Sequence, residues 1–450
     1  MTSALLSLLE EKRVTSDTIS KPSLVTSKFK SINDFPDELL LKILSHFRPE
    51  ELCLVIAQVC ERWNALARDV TLWKSLSYRC DKYSEFSKDV QVLAEAPALH
   101  SFIIDNRDDA FQLLELLFDS CGCLKKLNLR FCSLSEDSTG LLASIVAFYP
   151  NLEELTLKGC FPLTEAGYSL IPRLKKLSVL DLSHSEELSG KAVRLIAESC
   201  QHLKKLNLDD VRKISDDDVV HIIKKLGSQL ITLILDGEDL TDVAFSNLSN
   251  CVRLQELEVS FCDQMTNKGL LKGIGSLQQL HSLHLKKGHN LTARGLSMFL
   301  HRPAMACMVC LNLSECSSLD DYGLERIANR CVHLRTLSLC WCWDVTDAGI
   351  MMVMRCCNQL RVLDLLGVVC ITGIGYFALV PSHLPYLRRL NLEQCNRVCD
   401  KSVEELVAAA PELEVIDYYG HRVVAGMSES SNSTSTKEED AKWLSADEGH

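Results

Sequence analysis

The sequence predicts an α/β protein in which a strand–helix unit repeats along most of the chain, after a short helical module. A motif of the form L-x-x-L-x-L-x-x-C, seen at residues 334–342, recurs every 24 to 28 residues. The first apolar residues of its thirteen copies are Leu99, Leu124, Leu152, Leu177, Leu203, Leu230, Leu254, Leu280, Met308, Leu334, Leu360, Leu387 and Leu413. A spacing this constant predicts stacked units, because each unit can bury its apolar face only against its neighbours.

The period lies in the range of leucine-rich repeats. In the unit that begins at Leu334, Leu337 and Leu339 point inward from a short strand, and the residues between them point to the opposite face. Thr346 then caps a helix whose apolar residues return to the strand. We therefore predict a curved solenoid of about thirteen units, with parallel strands on its concave face and helices on its convex face.

A dense helical pattern precedes the repeats, between residues 32 and 78. Leu39, Leu40, Ile43 and Leu44 recur at helical spacing behind Pro36, which suits the first turn of a helix. Two more short helices are predicted after this one. Three short helices in about 45 residues bury too little apolar surface to be strongly stable alone, so the pattern predicts a module that packs against a partner.

Three segments of this module form a recognisable set. They are Phe35-Pro36-Asp37-Glu38-Leu39, Val59-Cys60-Glu61-Arg62-Trp63 and Leu72-Trp73. The set resembles the F-box, which docks Skp1-type adaptors, with Phe35 where that family more often has leucine. Together with the cysteine-containing repeats, residues 32–420 resemble the F-box/LRR family of substrate receptors of Skp1–cullin–F-box (SCF) ubiquitin ligases.

The predicted organisation has five parts. They are a flexible N-terminus at 1–31, an F-box at 32–78, a linker helix at 79–98, a leucine-rich-repeat domain at 99–420 and a disordered Ser/Thr/Glu-rich tail at 421–450. The helical pattern of the linker covers residues 80–96. The family resemblance implies that this region packs rigidly and holds the substrate at a fixed reach from the E2 enzyme.

Composition narrows the class of protein further. A net charge of −12 disfavours a nucleic-acid-binding surface. No apolar run reaches the roughly 18 residues that a membrane span needs, and no convincing secretory signal is present. Residues 447–450 also lack the cysteine box found in some prenylated relatives. We expect an intracellular protein, cytoplasmic, nuclear or both, with neither a membrane anchor nor a nucleic-acid partner.

The 21 cysteines mostly follow the repeat. Eleven occupy one of two fixed repeat positions, where they serve as small buried hydrophobes, and the odd total fits reduced thiols. Cys307 and Cys310 have a C-x-x-C spacing, but no second pair or nearby histidine completes a zinc site. Since no phosphate-binding loop, metalloprotease motif or nucleophile elbow is present, we predict a non-catalytic protein without a cofactor.

The resemblance places a Skp1-binding surface on the F-box. The predicted residues are Pro36, Leu39, Ile43, Leu44, Leu52, Val59, Cys60, Trp63 and Trp73. Interfaces and cores both favour large apolar side chains. The alternative for each of these residues, and for Trp63 and Ile43 in particular, is that it belongs only to the core of the module.

Strand alternation predicts a second surface, for the protein substrate, on the concave face. Its predicted residues are Arg130, Phe131, His184, Asp209, Asp210, Phe261, Lys286, Lys287, Trp341, Trp343 and Arg389. Phe131, Phe261 and Trp341 are the expected anchors, because exposed aromatic residues often mark contact sites. The alternative is that these rings shield neighbouring strands from solvent.

Three functions remain open from the sequence. The leading one is a substrate receptor that binds Skp1, and through it a cullin and a RING protein, and delivers an unknown protein for ubiquitination and proteasomal degradation. The alternative is a Skp1-binding scaffold that recruits partners without ubiquitinating them. A third, a receptor gated by a small molecule, requires a basic floor for a polyphosphate, and we expect no Arg/Lys cluster across adjacent strands.

Overall fold

A computed structural model of the chain describes residues 31–74, 76–134, 138–374 and 377–423. The chain divides into two compact units, Met1–Leu152 and Glu153–His450. The flexible N-terminus predicted for residues 1–31 lies outside the described residues except for Ser31. The disordered tail predicted for 421–450 lies outside them except for its first three residues.

The first unit begins with short helices and continues with three strand–helix pairs. A 3-10 turn at Ile32–Asp34 precedes α1 (Asp37–Leu44), α2 (Pro49–Leu54), a turn at Ile56–Gln58, α3 (Glu61–Ala67) and α4 (Val70–Trp73). The pairs are β1 (Ser77–Asp81) with α5 (Phe86–Glu95), β2 (Ser101–Asp105) with α6 (Ala110–Ser120), and β3 (Lys126–Arg130) with α7 (Ser138–Phe148). The predicted order, a helical module and then repeats, is confirmed.

The repeats begin one unit earlier than predicted. Strand β1 pairs in parallel with β2, with Ser77 beside Ser101, and the helix of this region is limited to α5. The prediction of a linker helix over residues 79–98 is therefore wrong at its start, because the region is a complete strand–helix repeat. Its inward positions hold Tyr78 and Cys80, both buried, so the leucine signature that reveals the other repeats is absent.

The helical module and this first repeat share one core. Helix α2 packs against α5, and Leu52 and Leu93 on these helices are fully buried. At the edge of the same contact, the Arg68 guanidinium lies 3.2 Å from the Glu95 carboxylate. The module thus finds in α5 the partner that its small size requires.

A buried ionic network joins the first two repeats. Arg107 donates to Asp89 at 2.9 Å and to two backbone carbonyl oxygens at 3.0 Å, and it grips both oxygens of Asp109 at 2.7 and 2.6 Å. The Tyr78 hydroxyl donates to the other Asp89 oxygen at 2.8 Å. The side chains of Arg107 and Asp89 are only 6% and 3% exposed, so each charge depends on the other for compensation.

The second unit continues the repeat. Its strands are β4 (Glu154–Lys158), β5 (Val179–Asp181), β6 (Lys205–Leu208), β7 (Thr232–Asp236), β8 (Glu256–Ser260), β9 (Ser282–Leu285), β10 (Cys310–Asn312), β11 (Thr336–Ser338), β12 (Val362–Asp364), β13 (Arg389–Asn391), β14 (Glu414–Ile416) and β15 (Arg422–Val423). Its helices are α8 (Glu165–Tyr168), α9 (Gly190–Ser199), α10 (Asp216–Leu226), α11 (Asp242–Asn247), α12 (Asn267–Lys272), α13 (Ala293–Leu300), α14 (Asp321–Arg330), α15 (Asp347–Cys356), α16 (Val380–His383) and α17 (Asp400–Ala409). The 3-10 turns are Ile171–Arg173, Leu248–Asn250, Ile274–Ser276, Pro303–Cys307 and Phe377–Leu379.

Strands β4 to β14 lie side by side in sequence order, each parallel to the next, and β15 is antiparallel to β14. Leu311, Leu337 and Leu363 are buried in register on three neighbouring strands. In the last parallel strand Val415 lies beside Leu390. The predicted α/β repeat architecture is confirmed. Along each strand, side chains that point away from the core alternate with the buried leucines, and we call the surface that they form the sheet face.

A row of residues with left-handed backbone follows the strands. In the second unit the residues with φ between 52° and 59° are His184, Asp210, Phe261, Lys287, Glu315, Trp341 and Gln394, and glycine takes the same position at Gly159 and Gly367. This conformation costs a non-glycine residue about 1–2 kcal/mol. The backbone N–H of the left-handed residue compensates part of this cost by donating a hydrogen bond to the next repeat, as Trp341 N does to Leu366 O at 2.8 Å.

Helix starts in neighbouring repeats are linked through their caps. The Thr346 hydroxyl accepts from Ala348 N at 3.2 Å, which confirms the predicted cap, and donates to Asp321 of the preceding helix at 2.6 Å. Thr372 and Asp347 repeat this bond at 2.6 Å. The Thr346 cap therefore stabilises its own helix and also the stacking on the previous one.

Most cysteines fill the core positions that the repeat predicts. The thiols of Cys342 and Cys395 donate to Leu313 O at 3.2 Å and to Leu365 O at 3.0 Å, each in the preceding repeat. Burial raises the pKa of Cys395 to about 12. Because the thiolate is the reactive form, these buried thiols should be inert.

We expect Cys399 to be alkylated fastest among the exposed cysteines near pH 7. A hydrogen bond with Ser402 lowers the pKa of the Cys399 thiol, so a larger fraction of this thiol is thiolate near pH 7 than it would be without that bond. Timed iodoacetamide labelling with peptide mass spectrometry measures the rates. Ser402→Ala should slow labelling at Cys399 alone, and equal rates at all exposed cysteines of the unmodified chain would contradict the expectation.

Candidate protein-binding surfaces

Helix α1 carries an apolar sector wider than its neighbours cover. Leu40 and Leu44 are each 1% exposed and face the core, whereas Leu39, on the adjacent face, is 47% exposed. Ile43 lies one turn after Leu39 and is half-buried, and Pro36 before the helix is exposed. Leu39 and Ile43 therefore form an apolar stripe along the outer side of α1.

The segment before α3 adds to this apolar surface. Val59 is 40% exposed and Cys60 is exposed as well. Arg62 and Trp63 hold in place the segment that leads into α1. Arg62 donates to Phe35 O at 2.7 Å and also to Asp37, and the Trp63 indole donates to Asn33. We call Pro36, Leu39, Ile43, Val59 and Cys60 the F-box stripe.

Four residues predicted to contact Skp1 lie in the core. Leu44, Leu52, Trp63 and Trp73 are between 0% and 3% exposed, and the Trp73 indole donates to Ala67 O at 2.6 Å. A side chain this buried cannot touch a partner without repacking. The prediction is corrected for these four, whose role is to support the F-box stripe, while the five stripe residues stay a prediction.

The predicted substrate residues mostly lie at the ends of strands. The residues Phe131, His184, Asp210, Phe261, Lys287 and Trp341 have left-handed backbone and lie one to three residues beyond the ends of their strands, so strand alternation does not explain their position. Asp209, also past its strand, is half-buried. Arg130 ends β3 and donates to Asn128 at 3.0 Å, and Arg389 begins β13. The glycines at equivalent positions, Gly159 and Gly367, are the sequence signal that could have revealed these turns.

Only one of the three proposed aromatic anchors is exposed. Phe131 is 47% exposed, whereas Phe261 is half-buried with the Lys287 ammonium 4.0 Å from its ring centre. The Trp341 ring lies so close to Gly367 that an added Cβ there would meet it at 2.4 Å. For Trp341 the structure thus supports the shielding alternative, and Trp343, 53% exposed, is the open aromatic residue of that repeat.

Charged pairs cross the sheet face between neighbouring strands. Lys286 lies 2.8 Å from Glu258, and His184 lies 2.9 Å from Asp210. The hydrogen bond from His184 lowers the pKa of Asp210. These pairs fix the side chains on the sheet face and leave it with both signs of charge.

A buried histidine on this face was not predicted as a site residue. His284 is 7% exposed, burial lowers its pKa, and its Nε2 lies 3.3 Å from the Cys310 thiol. Among the described residues, no group of three or more His, Cys, Asp or Glu side chains is arranged to hold a metal ion. The Cys310 of the C-x-x-C pair therefore contacts a histidine from the neighbouring strand, with no further ligand beside it.

The expectation that no basic cluster crosses adjacent strands is wrong. Arg335, Arg361 and Arg388 each immediately precede a strand, β11, β12 and β13 respectively, and all three are exposed. The amide of Arg361 donates to Arg335 O at 2.7 Å, and the amide of Arg388 donates to Arg361 O at 2.8 Å. We call these three residues the arginine row.

In the part of the chain that the structure describes, no helix has the length and apolar character needed to cross a lipid bilayer.

Family models match both parts of this architecture. Residues 32–79 match the F-box-like family, and residues 330–354 match the leucine-rich-repeat family. The first match covers the module that carries the F-box stripe, together with β1. The second spans the end of α14, strand β11 and most of α15. The chain is thus an F-box protein with leucine-rich repeats.

Two relatives combine the same parts. F-box/LRR-repeat protein 4 of Bos taurus is 28% identical over 253 residues, which are 56% of this chain and 32% of that protein. F-box/LRR-repeat protein 5 of Mus musculus is 24% identical over 318 residues, 68% of this chain and 38% of that protein. The chain is similar to these F-box/LRR-repeat proteins over more than half of its length, and the matches span well under half the length of the two relatives.

A solved structure supports the fold. The crystal structure of the yeast Rad7 and Elc1 complex contains a chain that aligns with a TM-score of 0.54 and 18% sequence identity, covering 94% of this chain and 98% of that one. At this identity the similarity concerns the architecture alone.

Proposed function

We propose that this chain is the substrate-recognition subunit of an SCF-type ubiquitin ligase. The F-box stripe binds Skp1, which connects it to a cullin and a RING protein, and the sheet face binds the protein to be ubiquitinated. Ubiquitin comes from an E2 enzyme on the RING protein, so this chain supplies no catalytic group. It acts by raising the effective concentration of substrate lysines near the E2, and the modified substrate is then degraded by the proteasome.

The observation that carries this proposal is the exposed apolar character of the F-box stripe. Leu39 and Val59 are 47% and 40% exposed, on a module whose own core is already closed by Leu44, Leu52 and Trp63. Exposed apolar side chains that cluster on a small module are typical of a protein interface. The family match over residues 32–79 supports a Skp1-type adaptor as that partner.

The packing of the first unit suits a receptor. Helix α2 of the F-box packs on α5 of the first repeat, and the Arg107 network ties that repeat to the next. Few bonds can rotate between the adaptor surface and these repeats. A rigid connection limits the positions that a bound substrate can take relative to the E2, which favours proximity catalysis.

Replacing Leu39 and Val59 by aspartate is expected to abolish co-purification with Skp1. Both side chains are exposed, so the charges do not enter the core, but they place two carboxylates in an apolar interface. The matched control is Val243→Asp, an exposed apolar residue (55%) on α11 in the second unit. Pull-down of Skp1 by the full chain, with circular dichroism as the test of folding, measures the effect.

Retained Skp1 binding by the folded Leu39→Asp/Val59→Asp variant would exclude the F-box stripe as the adaptor site. If Skp1 and a cullin co-purify but depletion of the chain in cells stabilises no bound partner, the chain is a scaffold instead of a degradation receptor. The in-cell half-lives of co-purified proteins, compared between the intact chain and this variant, separate the two.

A further inference from the structure

The arginine row places three cations on adjacent strands at one register. Arg361 N and Val362 N both donate to Arg335 O, at 2.7 and 3.0 Å, and Arg388 N and Arg389 N both donate to Arg361 O, at 2.8 and 3.1 Å. The three backbone positions are therefore locked to one another. Neighbouring strands lie about 4.8 Å apart, so the row spans about 10 Å along the sheet edge.

Like charges directly opposite each other on neighbouring strands are destabilising. The backbone register places two such pairs of arginines on neighbouring strands here, in a chain whose net charge is −12. The equivalent positions on the strands before the row are neutral at Val309 and half-buried at His281. On β14 the equivalent position is Leu413, because Glu414 lies beside Arg389. The positive charge is thus a local feature of strands β11 to β13.

We propose that the arginine row binds an anionic segment, acidic or phosphorylated, of a protein partner. Guanidinium groups bind carboxylates and phosphates through two parallel hydrogen bonds, and arginine clusters are a recurring way to bind such segments. An extended chain rises about 3.3 Å per residue, so three or four residues of the segment cover the row. The inference rests on the proposed function, since the segment belongs to the protein that the repeats recruit.

The position of the row favours a protein segment as its occupant. It lies at the N-terminal edge of the strands, where each arginine follows the end of a helix and is exposed. Trp343, the open aromatic side chain of the same repeat, follows the opposite end of β11. A segment that covers the row and then turns along β11 would meet both guanidinium groups and the indole, two of the side-chain types enriched at interface hot spots.

Direct binding of labelled peptides to the full chain tests this proposal. The probes are ten-residue fluorescein peptides with three adjacent phosphoserines, three adjacent glutamates or three adjacent serines. We expect the phosphoserine and glutamate peptides to bind and the serine peptide not to bind, with affinity falling as salt screens the charges. The ratio of the two affinities distinguishes a phosphorylated source from an acidic one.

The variant R335Q/R361Q/R388Q should weaken binding of the anionic peptides at least 30-fold, since a charge-assisted hydrogen bond contributes about tenfold or more in affinity. The control R253Q/R294Q/R397Q removes three exposed arginines from separate repeats and should change the affinity less than about threefold, given the weak long-range effect of exposed charges. A lysine variant, R335K/R361K/R388K, keeps the charge and lacks the planar fork, so it should fall between these two.

Equal weakening in the glutamine variant and its control would overturn the proposal in favour of general electrostatics. Full binding by a folded glutamine variant would assign the arginines to stabilising helix C-termini instead. If anionic peptides bind only after residues 424–450 are removed, that acidic segment of the chain itself occupies the row and the partner site is excluded. Absence of peptide binding in a chain that still co-purifies with Skp1 overturns this inference and leaves the proposed function intact.

Discussion

Replacing Arg107 by methionine is expected to lower the free energy of unfolding by about 3–5 kcal/mol, the usual cost of removing one partner from a buried ion pair. Methionine keeps most of the apolar volume of the arginine stem. It leaves Asp89, whose side chain is 3% exposed, with only the Tyr78 hydroxyl as a donor among the bonds described above. Urea denaturation followed by circular dichroism measures the loss, and hydrogen exchange over residues 77–120 shows where it occurs.

The chain offers a matched control in the same unit. Arg79 lies 2.7 Å from Asp105, but the Arg79 side chain is 47% exposed. Arg79→Met should therefore cost no more than about 1 kcal/mol, as for most surface ion pairs. If the Arg79 and Arg107 variants were equally stable, the Arg107 network would not hold the first two repeats together.

Replacing Gly273 by alanine is expected to cost about 3 kcal/mol or more, because the new methyl group has no space. A Cβ at this position would lie 1.8 Å from the carbonyl oxygen of Phe245, a backbone atom that cannot move alone. Gly273 ends α12, and Phe245 lies on α11, which packs against it. Relieving the clash therefore requires two stacked repeats to separate locally, an overpacking penalty at the upper end of its range.

Gly122→Ala is the control for this prediction. Gly122 has no atom within 4 Å of an added Cβ and does not have left-handed backbone, so its replacement should change the stability by no more than about 0.5 kcal/mol. Thermal unfolding of both variants measures the difference. If the Gly273→Ala variant had the same melting temperature as the unmodified chain, the two repeats would not be packed as closely as described.

The repeat architecture could be predicted because one side-chain pattern recurs at a fixed spacing. Leucine fills the inward position of Leu337 in each strand from β3 to β13, so the sequence predicts both the strand and its buried face. Strand β1 was missed because Tyr78 and Cys80 fill those positions. The Arg107 network was missed as well, since Arg107 and Asp89 are 18 residues apart and belong to no repeated motif.

The division between core and surface on the F-box could not be predicted from periodicity. Leu39, Leu40, Ile43 and Leu44 form one apolar sector of α1, and helical spacing does not say which half of it the neighbouring helices cover. The structure buries Leu40 and Leu44 and leaves Leu39 47% exposed. That choice depends on the packing of α1 against α3, a tertiary contact that the spacing of residues along one helix does not encode.

Strand alternation, from which the residues on the sheet face were predicted, explains the position of only some of them. Alternation along a strand explains why Lys286 and Arg389 face away from the leucines. Phe131 and Phe261 lie one residue and Trp341 three residues beyond the regular strand, all in the left-handed conformation, so the direction of their side chains depends on a turn that large side chains rarely adopt. The sequence shows this turn only where glycine occupies it.

The packing of α2 against α5 also determines where this protein can be divided. A fragment that stops after Trp73, at the end of the helical module, would lack the helix that covers α2 and would expose the buried side of Leu52. The smallest portable piece that keeps the helical module covered therefore extends beyond the F-box, through β1 and α5 and on to α6, whose preceding loop supplies Arg107. Exchange of F-boxes between proteins of this kind would have to carry the first two repeats with it.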